Sequence, residues 1–226
     1  MGLRRLLRSW EHRRLLASVP DLVQKSKAQL NQDIWVVGET NRKRGGFFVE
    51  IGAFDGIQHS NTYLLEKEFG WSGILVEPNP DCLASLKQHR SAAISTKAVS
   101  SEEGTVDFVR VREEPALSAV AVHADGDRHA TQRRDSDVIA VDTITLDDLL
   151  REHGAPGHID FLSVDTEGNE YDILSSFDFS KYQIDLISVE HNHTPRELEI
   201  ERLLHKFGFR RVHRRITRFD AWYKRI

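Results

Sequence analysis

The chain has one cysteine, Cys82, so no internal disulfide forms. That fits a reducing compartment, and a cytoplasmic location is expected. No stretch approaches the ~18 apolar residues that a membrane-spanning helix needs. The N-terminus lacks an apolar core followed by a small-residue cleavage site, so no secretory signal is read there. A basic excess is also missing: 31 Lys and Arg stand against 35 Asp and Glu, a formal charge of −4. A dedicated nucleic-acid binder is thereby excluded, and so is a disordered acidic tail. Internal repeats and low-complexity tracts are absent. What is present is enough for a core: 39% of the 226 residues are hydrophobic. A chain of this size buries enough surface to fold without metal or disulfide staples. Its length suits one large domain, or one domain with an extension.

Charge is uneven along the chain. Arg4, Arg5, Arg8, Arg13 and Arg14 face only Glu11 in the first sixteen residues. Leu3, Leu6, Leu7 and Trp10 recur at i, i+3, i+4 and i+7, the spacing of one helical face. Residues 1–27 are therefore read as a basic amphipathic helical extension. Two uses stay open: peripheral contact with an anionic membrane through residues 1–16, or packing of the Leu/Trp stripe on the body of the protein.

From residue 28 onward strands and helices alternate. Short apolar runs at 47–52, 73–77, 159–165 and 184–190 read as buried strands. Residues 92–99 and 105–111 read as further strands, the latter at an edge. Helices are expected at 61–69, between Ser60 as cap and Gly70 as stop, and at 81–89, 146–152 behind Thr145, 170–176 and 195–208. The last should bury Leu198, Leu203, Leu204 and Phe207. Residues 209–216 and 220–226 read as a hairpin with a tight link. This order predicts an α/β fold with a mostly parallel sheet and one antiparallel strand near the C-terminus. Residues 113–137 have no sustained period and are read as a lid or substrate loop, or else as a passive insertion.

The first predicted strand ends in Glu50-Ile51-Gly52-Ala53-Phe54-Asp55-Gly56. Gly52 permits a sharp turn and close approach to a ligand. A dinucleotide fingerprint would need glycine at 54 and 57 as well; Phe54 and Ile57 stand there, so a pyrophosphate cradle is missing. Carboxylates at Glu50 and Asp55 would repel a pyrophosphate and suit a cationic amine. The second strand ends in Glu77, where an acid takes ribose hydroxyls in nucleotide-binding sheets. A nucleoside with a positive, non-phosphate tail satisfies both ends. S-adenosylmethionine is such a ligand, with its ribose on Glu77 and its ammonium near Glu50 or Asp55. Gln32 and Asp33 either lid this cofactor or simply begin a helix.

Several stretches resemble the FkbM-type methyltransferases: 28–33 (AQLNQD), 46–56 (GFFVEIGAFDG), 60–66 (SNTYLLE), 70–80 (GWSGILVEPNP), 165–170 (DTEGNE) and 189–192 (VEHN). The resemblance runs from Ala28 to the C-terminus, so residues 28–226 are read as one domain. It implies a class I methyltransferase Rossmann-like fold, with a seven-stranded, mostly parallel sheet, a C-terminal antiparallel strand and helices on both faces. It implies S-adenosylmethionine as methyl donor and a hydroxyl acceptor, in a sugar, a glycan or a glycosylated natural product. The matching stretches add Ala53, Gly56, Asn61, Thr62, Pro78 and Asn79 to the cofactor set.

Strand ends also place the acceptor side. Asp165 closes one strand and Glu190-His191 another. A sugar hydroxyl attacks a sulfonium methyl well only after losing its proton. A positioned base contributes about 100–10,000-fold to such a step. His191 is the candidate base, with Asp165 orienting it or acting as base itself, and Glu190 and Glu167 beside them. Alternatively, Asp165 and Glu190 hold a Mg or Mn ion that lowers the hydroxyl pKa. Asp165 or Glu167 also suits a helix cap near Gly168. Two other functions fit parts of the pattern: a non-catalytic glycan- or membrane-associated module that keeps the fold, and a nucleotide-sugar oxidoreductase, which Phe54 and Ile57 disfavour.

Overall fold

The structure is a computed structural model and describes residues 3–111, 118–120 and 136–226. Helix α1 (Leu3–Ala17) leads through a turn-rich segment into α2 (Gln32–Glu39). The body continues as β1 (Phe47–Ile51), α3 (Tyr63–Phe69), β2 (Ser72–Val76), α4 (Leu83–His89), β3 (Ala93–Ser95) and β4 (Ala98–Val99). Next come β5 (Gly104–Arg110), β6 (Ala119–Val120), β7 (Asp137–Ile144), α5 (Leu146–Glu152), β8 (His158–Val164) and α6 (Glu170–Ser176). The chain closes with β9 (Gln183–Glu190), α7 (Arg196–Lys206), β10 (Phe209–Val212) and β11 (Asp220–Arg225).

Seven strands form one sheet in the order β10-β11-β9-β8-β1-β2-β3. β1, β2, β3, β8 and β9 run parallel, while β11 is antiparallel to both β9 and β10. This is the mostly parallel sheet with one reversed strand that the element order predicts. Its central strands are apolar on both faces because helices cover both. One layer of core joins Val49, Ile51, Leu162 and Ile187 to α5, α6 and α7. The other joins Phe48, Leu75, Phe161 and Trp222 to Ile34 and Trp35 of α2 and Leu64 of α3. Trp35 stacks on Trp222 with ring centroids 5.0 Å apart. Leu15, Val19 and Leu22 share this second layer, so the N-terminal segment contributes to the core. Trp10 does not: it is 60% exposed, with the Arg14 guanidinium 5.6 Å from its ring centre.

Other expectations are corrected. The run 92–99 is two strands, and they lie in different sheets. β3 ends the large sheet, whereas β4 joins a second sheet of order β4-β7-β5-β6. β5 is therefore flanked on both sides and is not at an edge. β6 and the first residue of β7, Asp137, fall inside the segment read as patternless. Residues 113–117 and 121–135 of that segment lie outside the described residues. The hairpin link is seven residues long, 213–219, not tight. α7 buries Ile200 and Leu204, while Leu198 and Phe207 are exposed. α3 begins at Tyr63 rather than Asn61, and its N-cap is Thr62 rather than Ser60, although Ser60 Oγ accepts from Tyr63 N–H at 3.1 Å.

Candidate active site

The C-terminal ends of β1, β2 and β8 converge on a cleft. Its floor is Ile51, Gly52 and Val76. Glu77 and Pro78 form one side, and Asp165, Thr166 and Glu167 the opposite rim. The second sheet supplies an apolar wall from Ala98, Val99 and Phe108. Open α/β sheets bind ligands at this end of their strands, where the strand order reverses. Here β1 has β2 on one side and β8 on the other, so the reversal lies directly above Gly52.

Backbone geometry explains the glycine. Gly52 has φ +84°, and a Cβ there would lie 1.8 Å from the carbonyl oxygen of Asp165. Only a residue without a side chain lets the tips of β1 and β8 meet this closely. Two non-glycine residues lining the cleft, Phe54 (φ 48°) and Glu167 (φ 61°), also adopt left-handed backbone. Such conformations cost ~1–3 kcal/mol each and cluster at functional sites.

Glu77 is buried and held by two backbone donors, Phe54 N–H and Asn79 N–H, both at 2.8 Å. Burial pushes its carboxyl up to about 7, against the pull of those two hydrogen bonds. Each oxygen accepts one backbone hydrogen bond and keeps further acceptor capacity, which suits a pair of vicinal hydroxyls.

Glu50 and Asp55 are not where an ammonium would meet them. Glu50 accepts from Ser60 Oγ (3.0 Å), Asn61 N–H (2.6 Å) and Thr62 Oγ1 (2.5 Å), and it does not line the cleft. Asp55 Oδ1 accepts from Ile57 N–H and Gln58 N–H. Both acids therefore build the turn after β1. Asn61 and Thr62 belong to the same network, Asn61 also reaching Ser163 Oγ at 2.9 Å. Ala53, Gly56 and Asn79 support the cleft from behind without lining it. Gln32 and Asp33 open α2 rather than cover the cleft. Gln32 donates to Asp220 (2.5 Å), and Asp33 accepts from Ser26 and from Ile34 N–H.

Arg90 was not legible as a site residue, yet it organises this region. Its side chain is fully buried. It donates to Glu66 (2.8 Å), the Gly56 carbonyl (3.1 Å), Ser60 (3.0 Å) and Thr62 (2.8 Å), and lies 3.6 Å from Glu50.

His191 is also corrected. Its Nδ1 accepts from His193 N–H at 3.1 Å, which leaves the proton on Nε2, facing the Asp220 carbonyl at 2.9 Å. Burial, reinforced by Arg211 and opposed by Glu197, pushes the imidazole below its ordinary value. With both nitrogens spent inside the protein, His191 joins β9 to β11 and is not placed to take a substrate proton.

The acids behave differently. Asp165 and Glu167 line the cleft. Behind them Glu170, Glu190 and Asp220 are buried. Burial first, then the nearby Asp165 charge, pushes both Glu190 and Asp220 well above the ordinary carboxylate range. One oxygen from each of Asp165, Glu170 and Glu190 lies within 4.8 Å of the other two. The predicted pair Asp165 and Glu190 is thus brought together, and Glu170 is the member the sequence did not indicate.

No curated protein matches the chain. Among solved structures, an FkbM methyltransferase from Methylobacillus flagellatus KT superposes with a TM-score of 0.50 at 12% identity, covering 93% of this chain. The chain spans 59% of the length of that protein. At this identity the likeness is one of fold. A Burkholderia thailandensis 1,6-didemethyltoxoflavin-N1-methyltransferase, solved with 1,6-didemethyltoxoflavin and S-adenosylhomocysteine, aligns over 100% of this chain and 91% of its own. Its identity is 13% and its TM-score 0.42. The family model for the methyltransferase FkbM domain matches residues 50–211, from the β1 carboxylate to the middle of β10 and well over half of the 226 residues. The chain belongs to the FkbM methyltransferase family.

Proposed function

We propose that this methyltransferase uses S-adenosylmethionine to methylate a hydroxyl group, in a sugar, a glycan or a glycosylated natural product. The observation that carries the reading is Glu77: a buried carboxylate at the end of β2, fixed by two backbone N–H groups and facing a cleft with an acidic far rim. The donor set fits the cofactor. Glu77 would take the ribose hydroxyls, and the apolar wall of Ala98, Val99 and Phe108 would cover the base. Bound there, the cofactor supplies a methyl group on a cationic sulfur, which departs as a neutral thioether.

The chain's own residues deal with the acceptor. Asp165, at the rim and only partly buried, receives the hydroxyl proton as the oxygen forms its bond to carbon. Glu167, beside it, adds negative potential at the rim. Negative rim charge also favours the cationic donor over its neutral product.

The reading extends to location. Cys82 is buried, and burial pushes its thiol up to about 12, so it is unreactive and compatible with a reducing cytoplasm. No described helix is long and apolar enough to cross a membrane. The exposed Trp10 beside Arg14 supports peripheral contact of α1 with an anionic lipid surface.

The test is a panel of glycans, small alcohols and amines incubated with isotopically labelled methyl donor and read by mass spectrometry. Gain of one methyl group on oxygen is expected. Transfer to nitrogen alone would overturn the hydroxyl assignment. Calorimetry with S-adenosylhomocysteine should show binding that Glu77→Ala weakens at least tenfold, and an unchanged dissociation constant would remove Glu77 from the cofactor site.

A further inference from the structure

Three carboxylates from three different elements meet behind the cleft rim. Asp165 follows β8, Glu170 opens α6 and Glu190 ends β9. Acidic clusters are common on protein surfaces, but this one is not a surface feature. Glu170 is 5% exposed and Glu190 6%. Oε2 of Glu190 is buried and has no hydrogen-bond partner. A buried carboxylate oxygen left without a partner is costly, because the charge has lost its water and gained nothing. The charges that press hardest on Glu190 are of its own sign: Asp165, Glu167, Glu170 and Asp220. Glu170 is held in position by Thr166 N–H, Thr166 Oγ1 and Gly168 N–H, which donate to its Oε1 at 2.9–3.1 Å.

Either a proton or a cation can relieve such a cluster, and the convergence of three carboxylates from separate elements favours the cation, which one proton cannot replace for all three. Mg²⁺ and Ca²⁺ take oxygen ligands at about 2.0–2.6 Å, so oxygens around one ion lie no more than about 4–5 Å apart. The three oxygens here fall within 4.8 Å of one another. The donor set is all oxygen, which selects hard divalent ions over zinc or copper.

We propose that Asp165, Glu170 and Glu190 form a binding site for one hard divalent cation, Mg²⁺ or Mn²⁺, at the acceptor edge of the cleft. Binding of the ion does not depend on the identity of the methyl donor. Its use does rest on the function proposed above: an ion held through one Asp165 oxygen would lower the pKa of an acceptor hydroxyl and orient it, leaving the other Asp165 oxygen to receive the proton. His191, His193 and Glu197 also bring ligand atoms within 4.8 Å of one another. The ring nitrogens of His191 are already engaged there, so that group is the control.

The experiment uses the full chain, stripped with chelator and titrated with Mn²⁺, free ion being followed by electron paramagnetic resonance. One Mn²⁺ per chain is expected, displaced by Mg²⁺. Glu190→Gln should weaken binding at least tenfold, and Asp165→Asn should do the same. Glu190→Gln keeps the side chain's size and removes a buried charge pressed by like charges, so it should leave the fold intact. Mn²⁺ should raise the melting temperature of the unaltered protein and not that of Glu190→Gln. Absence of stoichiometric binding at millimolar Mn²⁺ overturns the proposal. So does binding that survives Glu190→Gln but is lost in His193→Ala. S-adenosylhomocysteine calorimetry on the same samples keeps the two readings apart: donor binding without Mn²⁺ binding sinks only the ion site, and the converse sinks only the donor.

Discussion

Arg90 offers the most direct test of how the cleft is supported. Its side chain is 0% exposed, against 3% for Glu50 and 6% for Glu66. Truncation to alanine removes the only buried cation among the described residues that reaches both acids. Breaking a buried pair from one side costs about 3–5 kcal/mol, because the remaining charge stays buried and uncompensated. Four hydrogen bonds, to Glu66, Gly56, Ser60 and Thr62, disappear with it. We therefore expect Arg90→Ala to lose about 4 kcal/mol. At ~2–4 °C per kcal/mol for a chain of this size, the melting temperature should drop by roughly 8–16 °C. Arg90→Lys should recover less than half of that, since one ammonium cannot span the two acids and the Thr62 hydroxyl.

Glu66 gives the pH signature of the same network. Burial alone would raise its pKa, but hydrogen bonds from Lys67 and Ser91 N–H and the Arg90 charge outweigh it, so its folded value lies below the ordinary 4.5. A depressed carboxylate stabilises the fold above its unfolded pKa, and that contribution is lost as pH falls through the folded value. The deficit of Arg90→Ala, measured by urea unfolding, should therefore narrow below about pH 4.5. A loss under ~1 kcal/mol at neutral pH, or strict additivity of Arg90→Ala with Glu66→Gln, would refute the reasoning.

Three further predictions follow from the cleft. Gly52→Ala should abolish S-adenosylhomocysteine binding in calorimetry, because its Cβ would meet the Asp165 carbonyl at 1.8 Å and its φ of +84° disfavours any side chain; retained binding would mean that β1 and β8 separate easily. Asp165→Asn should lower the methyl-transfer rate about 100-fold or more with donor affinity intact, whereas His191→Ala should lower the melting temperature and change the turnover of folded enzyme by less than tenfold; a reversed pattern would restore His191 as the base. Stability itself should fall as pH rises from about 4.5 to 7, since Glu77 is raised from 4.5 to about 7 and Asp33 from 3.8 to about 6, and groups raised in the folded state stabilise it only while protonated. Thermal melts across that range check the sign, and Glu77→Gln should flatten the slope.

The large sheet was legible because each of its buried strands is a short apolar run closed by a turn signal, as with Phe47–Ile51 before Gly52. The second sheet was not. β7 alternates exposed Val138 and Asp142 with buried Val141 and Thr143, a weak pattern that begins inside an irregular segment. Residues 92–99 look continuous in sequence, yet Ser95 Oγ accepts from Lys97 N–H at 3.4 Å where the chain leaves one sheet for the other. Site acids at strand ends were readable, since the β2 and β8 termini fix where Glu77 and Asp165 sit. Side-chain direction was not readable. Glu190 and His191 are adjacent, but the histidine turns toward Asp220 and Arg211 while the glutamate faces the other acids. Arg90 was invisible for a related reason. An arginine at the end of a helix is ordinarily solvated, and only tertiary packing against Glu66 and Glu50 shows otherwise.

The two sides of the cleft spend stability in opposite ways. Toward α3, the acids Glu50 and Glu66 are buried with a guanidinium and hydroxyl donors, so the turn after β1 is rigid before any ligand arrives. Toward β9, Glu190 and Asp220 are buried against like charge, with one Glu190 oxygen unpartnered. A fold that can neutralise acids so fully on one side does not leave them opposed on the other for want of means. Burial of like charges side by side persists where function requires it. The firm side therefore belongs to the part of the ligand that must be held in one pose, and the repulsive side to the step in which positive charge or a proton must be drawn in and released. Hydrogen exchange would show that division directly: amides of 50–62 should be protected in the free protein, and those of 165–170 should gain further protection when a cation or a cationic ligand is added.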